Sequence, residues 1–188
     1  MRRIRYGMYV SLDGYIAGPN GELDWHDIGE ELHQYVNAEW ETIDTHLYGR
    51  RMYEAMRYWE TADADPSLTA YARRTAHLWQ RAEHLVFSKT LTTVGRNARL
   101  VRDIDHEAIA ALKAQPGGDM EVAGAELAAA FARLGLIDEY CAYVHPVILG
   151  GGTPMFPAPR ERLALEIVET RTFSSGVVLM RYVPRNEP

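Results

Sequence analysis

Residue types suited to binding an anion follow three apolar segments of the sequence. These residues are Gly49, Arg50 and Arg51 in "LYGRRMYE", Ser88 and Lys89 in "VFSKT", and Gly124 in "VAGAELAAAF". Arginine grips a phosphate through paired N–H donors, and a glycine that opens a helix lets a ligand approach the backbone amides. Each turn alone is also compatible with solvated side chains or an ordinary loop. Together the three turns predict a phosphorylated ligand.

Apolar periodicity predicts the elements that position these turns. Strands are expected at 2–10, 45–49, 84–88, near Leu100, at 119–123, and at 137–149, where Pro146 indicates an edge, a bulge or a strand end. Helices are expected at 27–40, 50–59, 67–80, 105–114 with Asp105 as the N-cap, and 125–134. The segments 163–170 and 176–184 are expected to pair as an antiparallel hairpin.

Strands that alternate with helices predict an α/β fold with a largely parallel sheet and an antiparallel C-terminal edge. The sequence contains no linker-like tract, so a single domain over residues 1–188 is expected. Ligands of open α/β sheets bind outside the carboxyl ends of the strands, so the three turns should meet at one rim. Arg50 and Arg51 also fall in the first turn of a helix, where the dipole disfavours cations unless an anion or a glutamate is near.

Composition excludes several classes of function. A net charge of −6 and a pI near 5.6 argue against nucleic-acid binding, which usually requires a basic surface. No segment has the length and apolarity of a signal peptide or a membrane span, and the single cysteine, Cys141, is expected to be buried and inert. A cytoplasmic protein is therefore expected. Seven histidines without paired or clustered spacing predict no metal site.

Four segments, in their order along the chain, resemble the dihydrofolate reductase-like superfamily. They are "SLDGYIAG", "GRRMYE", "VFSKTL" and "AGAELAAAFARLGLIDEYCAYVHPVILGGGTPMF". The nearest branch is the one related to the reductase domain of bifunctional riboflavin-biosynthesis deaminase-reductases. The resemblance covers nearly the whole chain and implies a doubly wound mixed sheet with NADPH as cofactor. The zinc motif of the deaminase half is absent from the sequence.

The resemblance also implies roles for individual residues. The residues implied at the adenosine and phosphate end are Gly49, Arg50, Arg51, Ser88 and Lys89. The residues implied at the pyrophosphate are Gly124, Ala125, Glu126 and Leu127. The residues implied to edge the nicotinamide are Ile16, Ala17 and Gly18. Met52 stands where the family often has a threonine, and Ala123 where it has a glycine. Ala123 is compatible with this position only if its φ is negative.

Three carboxylates are candidates for the proton donor that hydride transfer requires. The resemblance places Glu30 where folate-reducing relatives have their buried carboxylate, and Glu31 competes with it because a one-residue shift would exchange the two. Asp13, in the glycine-rich loop 8–25, is implied to lie on the substrate side. Protonation by water, with both glutamates solvated, stays the alternative. The loop itself would be a flexible cover over the site, with Trp25 anchoring its far end on the helix that walls the substrate site.

The sequence therefore predicts an NADPH-dependent reductase of a small molecule with a C=N or C=O group, such as a pterin-like, aminopyrimidine or sugar-derived compound. Related domains pair, so a homodimer is expected, with no nucleic-acid or membrane partner. Two alternatives stay open. The first is a nucleotide-binding module without catalysis, which the departures at Met52 and Ala123 favour, and the second is a flavin-using oxidoreductase.

Overall fold

Ten strands and five α-helices make up the part of the chain that the computed structural model describes, residues 1–26, 28–157 and 162–185. The strands are β1 (Ile4–Ser11), β2 (Tyr15–Ala17), β3 (Ile43–Gly49), β4 (Glu83–Phe87), β5 (Ala98–Val101), β6 (Asp119–Ala123), β7 (Glu139–His145), β8 (Thr153–Pro154), β9 (Leu165–Thr172) and β10 (Val178–Pro184). The helices are α1 (Gly29–Trp40), α2 (Arg50–Met56), α3 (Ala70–Arg81), α4 (His106–Ala114) and α5 (Ala125–Arg133). Within these ranges, no helix combines the length and the apolar character needed to cross a bilayer.

Eight of the strands form one sheet in the order β5-β4-β3-β6-β1-β7-β10-β9. The first six run parallel to one another. The hairpin at the end of the chain adds β10, antiparallel to β7, and then β9, antiparallel to β10. The predicted α/β fold, a dihydrofolate reductase-like doubly wound mixed sheet with an antiparallel C-terminal edge, is confirmed.

Helices cover both faces of this sheet, as a mostly parallel sheet requires. On one face α4 and α5 pack against a core that includes Tyr6, Leu47 and Phe131. On the other face α1, α2 and α3 enclose a second layer with Leu32 and Trp79. Side chains alternate between the two faces along each strand, so each strand contributes to both layers.

Local signals located several element ends. The carboxylate of Asp105 accepts hydrogen bonds from the backbone N–H groups of Glu107 at 2.9 Å and Ala108 at 3.3 Å, which confirms it as the N-cap of α4. Because β7 ends at His145, Pro146 marks a strand end. The helix expected over 27–40 begins at Gly29, and Asp27 lies outside the described residues. The helix expected over 67–80 begins three residues later, at Ala70, because Thr69 caps it.

A small second sheet, which the sequence analysis does not predict, pairs β2 with β8. Tyr15 lies opposite Pro154, and Ala17 lies opposite Thr153. Gly152 makes this pairing possible: its φ is +127°, and a Cβ at this position would collide with the carbonyl oxygen of Ala17. The polar loop that follows β1 is therefore fastened to the glycine-rich segment that follows β7.

Candidate functional site

The three anion-compatible turns lie side by side at one rim of the sheet. They follow β4, β3 and β6, which are consecutive in the strand order and parallel. Gly49 is level with Phe87 on β4, and Tyr48 is level with Ala123 on β6. Because these strands end together, the turns after them open towards the same space, and the expected shared rim is confirmed.

The twin arginines are exposed at this rim. Gly49 is the N-cap of α2, with an extended backbone at φ −73° and ψ 164° and no side-chain cap. Arg50 and Arg51 occupy the first turn of α2, which contains no acidic residue. Arg50 Nε lies 4.0 Å from Glu54 Oε1, and an exposed ion pair of this kind contributes little to stability. Both guanidinium groups are accessible to a ligand.

Gly124 opens α5 with a backbone conformation that favours glycine, at φ +96°. It has no side-chain cap, so the first N–H groups of α5, at 125–127, lack the partner that a cap would supply. A Cβ on Gly124 would lie 3.5 Å from Met52 Cβ, which places Met52 directly beside this turn. Every positive φ in the described residues belongs to a glycine, so Ala123 meets the condition stated for it.

Ser88 and Lys89 are present at the rim but engaged by neighbours. The Ser88 hydroxyl is buried and accepts hydrogen bonds from the backbone N–H groups of Thr90 at 3.2 Å and Leu91 at 3.0 Å. Lys89 Nζ lies 3.0 Å from Asp103 Oδ1 on the surface. Ser88 therefore shapes the turn after β4 and offers less to a ligand than the arginines do, whereas Lys89, whose ion pair is exposed like that of Arg50, stays accessible.

An apolar cavity of about 320 Å³ lies next to the rim, between the sheet and helices α1 and α2. Its wall is rich in ring and sulfur side chains, namely Met8, Tyr9, Trp40, Tyr48, Met52, Trp59 and Tyr143. The volume is in the range of pockets that hold small molecules, about 300–1,000 Å³. Met52 belongs to both features, because it lines the cavity and adjoins Gly124.

The floor of the cavity is crossed by a row of titratable side chains, here called the charged row. Strand register places its members, His84, His46, Glu121, Arg5 and Glu139, next to one another on five neighbouring strands. Glu121 and Arg5 line the cavity. His46 Nδ1 lies 3.2 Å from Glu121 Oε2 but is not aligned as a hydrogen bond, so this is an electrostatic contact.

Two tyrosines near Glu121, and His84 at the end of the row, are held in neutral form. Burial, and then the negative charge of Glu121, raises the pKa of both Tyr9 and Tyr48 above its ordinary value, so the two phenols stay protonated at neutral pH. Burial, and then the proximity of His46, lowers the pKa of His84 to about 3, so its imidazole is neutral. The carboxylate is thus surrounded by uncharged aromatic groups on the side that faces the cavity wall.

The sequence of the chain matches a known protein family. The family described as "RibD C-terminal domain" matches residues 2–179. The chain belongs to the RibD C-terminal domain family. It is also similar to the Bacillus subtilis (strain 168) protein named "Uncharacterized protein YyaP", with 36% identity over 184 residues, which cover 96% of this chain and 94% of that protein. Membership of the family points to a reductase of the RibD type.

Two solved structures share the fold of this RibD C-terminal domain. A putative riboflavin biosynthesis protein from Shewanella sp. PV-4 superposes with a TM-score of 0.76 at 24% identity, covering 99% of this chain and 100% of the other. A dihydrofolate reductase from Enterococcus faecalis, complexed with NADP(H) and RAB-propyl, has a TM-score of 0.65 at 16% identity, covering 98% and 97%. Together with the family match, they confirm the resemblance to the dihydrofolate reductase-like superfamily.

Neither glutamate at the start of α1 faces the cavity of the domain. Glu30 is exposed and accepts a hydrogen bond from Gln34 Nε2 at 2.7 Å. Glu31 is exposed and accepts one from the backbone N–H of Ser174 at 2.9 Å. The residues of α1 that line the cavity are His33, Val36, Glu39 and Trp40. The expected placement of Glu30 is corrected because α1 begins only at Gly29, which leaves both acids in its exposed first turn. Its role as proton donor stays a prediction without a geometric basis.

Asp13 is also outside the cavity lining. Its carboxylate accepts hydrogen bonds from Ser11 Oγ at 2.6 Å and from the backbone N–H groups of Leu149 at 3.1 Å and Gly150 at 2.7 Å. The bond from Ser11, followed by those from the two amides, holds the pKa of Asp13 below its ordinary value. A proton donor at neutral pH needs a raised pKa instead. The expected substrate-side placement is corrected: Asp13 joins two loops.

The remaining loop residues divide between the cavity and the small sheet. Ile16 is buried and lines the cavity, whereas Ala17 pairs with β8. The backbone N–H of Gly18 donates to the carbonyl oxygen of Glu22 at 3.0 Å. Trp25 packs edge-on against His145, with ring centroids 5.5 Å apart, so the far end of the loop is anchored at the carboxyl end of β7.

Sequence reasoning misses Glu121. The signal was available in "DMEVAG", because a carboxylate between Met120 and Val122 lies inside an interior strand of a sheet covered on both faces. Charged residues are rarely buried at such positions unless they have a partner or a task. The sequence could identify Glu121 as an unusual charged residue in an interior strand, but it could not identify the cavity that Glu121 faces.

Proposed function

We propose that the protein is an NADPH-dependent reductase of a small molecule with a C=N or C=O group. The observation that carries the proposal concerns Met52. This residue lies beside Gly124 at the rim and also lines the apolar cavity, so the rim and the cavity meet there. A dinucleotide bound along the rim would end at this cavity. The substrate, a pterin-like, aminopyrimidine or sugar-derived compound, would occupy the rest of it.

The residues at the rim fit such a cofactor. Gly124 has no side chain where a pyrophosphate would approach the first N–H groups of α5. The exposed Arg50 and Arg51 can take a phosphate in bidentate geometry, and a 2′-phosphate is the group that distinguishes NADPH from NADH. The Enterococcus faecalis dihydrofolate reductase, which shares the fold, is complexed with NADP(H), and this supports the choice.

The chain would contribute mainly by binding and orientation. When bound, NADPH would supply a hydride to the carbon of the double bond and leave as NADP⁺, while the heteroatom takes up a proton. The ring and sulfur side chains of the cavity hold a flat substrate and exclude water from it. Glu30 and Asp13 stay the predicted donors, but a proton from solvent, the alternative that the sequence left open, fits their placement better.

The arginine pair provides the test of the cofactor. Arg50→Ala combined with Arg51→Ala is expected to weaken NADPH binding by about ten-fold or more, with much less change for NADH, because the double variant removes the charge-assisted grip on the 2′-phosphate. Titration of nucleotide fluorescence measures both affinities. Arg74→Ala with Arg81→Ala removes two exposed arginines from α3 and serves as the matched control. Equal losses for the two nucleotides would overturn the 2′-phosphate assignment.

Turnover is tested separately. The decrease in NADPH absorbance is followed over a panel of pterins, aminopyrimidines and sugar-derived carbonyl compounds, and oxidation with at least one of them is expected. Nucleotide binding without turnover on any compound would favour the non-catalytic module, a reading consistent with the missing hydroxyl at Met52. A purified protein that is yellow would favour the flavin alternative.

A further inference from the structure

The cavity floor holds a carboxylate to which the proposed function assigns no task. Glu121 lines the cavity, with 14% of its side chain exposed. A Cβ on Gly7 of β1, which also lines the cavity, would lie 3.5 Å from Glu121 Oε1. The carboxylate therefore extends over a stretch of backbone without a side chain, so one of its oxygens is open to whatever occupies the cavity.

The protein leaves this carboxylate poorly satisfied. An ionised carboxylate has about four acceptor sites on its two oxygens. Among the described residues, no hydrogen-bond donor is aligned on Glu121: His46 Nδ1 lies 3.2 Å from Oε2 without hydrogen-bond alignment, and Arg5, its neighbour in strand register, pairs with other carboxylates. A buried carboxylate is costly unless it is both paired and hydrogen-bonded. N–H donors on a ligand would supply the bonds that the fold does not.

The charges around the floor also select against an anionic ligand. Arg5 is the arginine that lines the cavity in the described residues; both of its terminal nitrogens are already paired, and its Nε is buried 3.6 Å from Glu139 Oε1 without a hydrogen bond. Nη2 donates to Asp119 Oδ2 at 2.6 Å, and Nη1 donates to Glu39 Oε2 at 3.3 Å. A phosphate or carboxylate at the floor would instead approach the carboxylates of Glu121 and Glu39, which repel it.

We propose that Glu121 is the specificity-determining residue of the cavity. It accepts paired N–H donors from the inner end of a flat substrate that is neutral or cationic, and it excludes substrates whose inner end is anionic. The flat body of the molecule lies against the rings of the cavity wall, among them Trp40 and Tyr48. The inference rests on the proposed function only in taking this cavity as the substrate site.

Three flat probes of similar size test the inference on cofactor-free protein: benzamidine, benzamide and benzoate. Each is titrated calorimetrically, and quenching of tryptophan fluorescence reports on the cavity because Trp40 and Trp59 line it. Benzamidine should bind about ten-fold tighter than benzamide or better, because its amidinium presents two N–H donors and a positive charge to the carboxylate. Benzoate should bind more weakly than both. Equal affinities for the three probes, or no binding of benzamidine, would overturn the inference.

A matched pair of variants assigns the selectivity to one residue. Glu121→Gln keeps the shape of the side chain and removes its charge, so it should lower the affinity for benzamidine about ten-fold and change that for benzamide little. Glu107→Gln makes the same change at an exposed position of α4 and should alter neither. An unchanged affinity for benzamidine in Glu121→Gln would refute the role of Glu121. If that variant does not fold, the comparison of the three probes on the unmodified protein decides.

Failure of the reductase proposal would have a different signature. In that case no compound would be reduced at the expense of NADPH, while benzamidine would still bind in a manner that depends on Glu121. The opposite result, NADPH oxidation with a preference for anionic substrates and no selectivity for benzamidine, would overturn the specificity inference and leave the reductase proposal intact.

Discussion

At the scale of residues, Cys141 and Glu121 show how burial changes a reactive group. Cys141 is buried, and burial raises the pKa of its thiol above the ordinary value. Little thiolate is present at neutral pH, so the expectation of a buried, inert cysteine is confirmed. Glu121 differs in exposure: 14% of its side chain is exposed, whereas Cys141, which lines the same cavity, is 4% exposed. The two groups therefore lie on the same side of the sheet and face the same cavity to different extents.

Asp13 is the residue whose hydrogen bonds most directly make the stability of the folded state depend on pH. Its pKa is held below the ordinary 3.8, first by the hydroxyl of Ser11 and then by backbone amides. A depressed pKa means that ionised Asp13 stabilises the folded state at neutral pH. This contribution is lost as the pH falls below 3.8 and through the folded-state value.

We expect Asp13→Asn to lower the melting temperature at neutral pH, because the amide cannot accept all three hydrogen bonds as an anion does. The difference from the unmodified protein should shrink as the pH is lowered below 3.8, where the native carboxyl is itself protonated. Thermal unfolding followed by circular dichroism over a pH series measures both effects. Asp24→Asn, at an exposed position of the same loop, is the control. A difference that stays constant with pH would contradict the assignment.

At the scale of elements, the pairing of β2 with β8 changes the description of the cover loop. The sequence predicts a flexible cover, whereas the structure fastens its middle to the segment 153–155. That segment is itself attached to the main sheet, because the Tyr6 hydroxyl donates a hydrogen bond to the carbonyl oxygen of Met155 at 2.7 Å. The position of Ile16 at the cavity therefore depends on this small sheet.

Gly152→Ala tests that dependence. The substitution combines a φ of +127° with a collision against Ala17, so we expect it to lower the free energy of unfolding by about 3 kcal/mol or more. Gly150→Ala is the matched control: its φ is +76°, but an added Cβ meets nothing within 4 Å, so only the backbone cost of about 1–2 kcal/mol applies. Urea denaturation compares the two. Equal losses would show that the close approach to Ala17 is unimportant.

At the scale of the whole molecule, buried charges join elements that are distant in the sequence. Arg181 on β10 donates to Glu139 on β7, to Glu169 Oε2 on β9 at 2.8 Å and to Glu39 Oε2 on α1 at 2.8 Å. The same Glu39 and Glu139 also contact Arg5 of the charged row. The antiparallel edge is therefore connected electrostatically to the cavity floor.

Arg181→Met is expected to cost about 3–5 kcal/mol of unfolding free energy, because it leaves several partly buried carboxylates without their cation. Adding Glu139→Gln should recover part of this loss. The control is Arg99→Met, because its side chain is 62% exposed against 9% for Arg181 and its partner Glu83 is 48% exposed, so this ion pair should contribute less than about 1 kcal/mol. Denaturant titration of the three variants provides the measurement. Similar losses for Arg181→Met and Arg99→Met would contradict this account of the network.

A homodimer stays a prediction, and the edge strand β9 is where we expect the contact. It pairs only with β10 in the described chain, and Ile167 and Val168 are 50% and 52% exposed. Exposed apolar residues on an edge strand favour association. Light scattering after size exclusion should give a dimer mass for the unmodified protein and a monomer mass for Val168→Glu. Leu134→Glu, at the exposed position that directly follows α5, is the control. A monomer at micromolar concentration would refute the prediction.

Much of the fold could be predicted because its signals are local. Periodicity, the cap at Asp105 and the stop at Pro146 depend on residues that are neighbours in the chain. The shared rim could be predicted as well, since parallel strands in one sheet end at the same edge whatever the details of packing. The antiparallel C-terminal edge and the position of the twin arginines at this rim followed from such signals, and the family followed from the resemblance of four segments, whereas the order of the strands was not predicted.

Tertiary structure alone decided which carboxylates matter. Asp13 and Gly150 are 137 positions apart in the sequence. Their hydrogen bond joins two loops, so the carboxylate that was predicted as a proton donor has a structural contact instead. Glu30 does not reach the cavity because the residues of α1 that line it, from His33 to Trp40, begin one turn further along the helix. Glu121 gains its exposure from a cavity that forms only when α1 and α2 close over the sheet. The sequence determined the elements and their rim, whereas packing decided the chemistry between them.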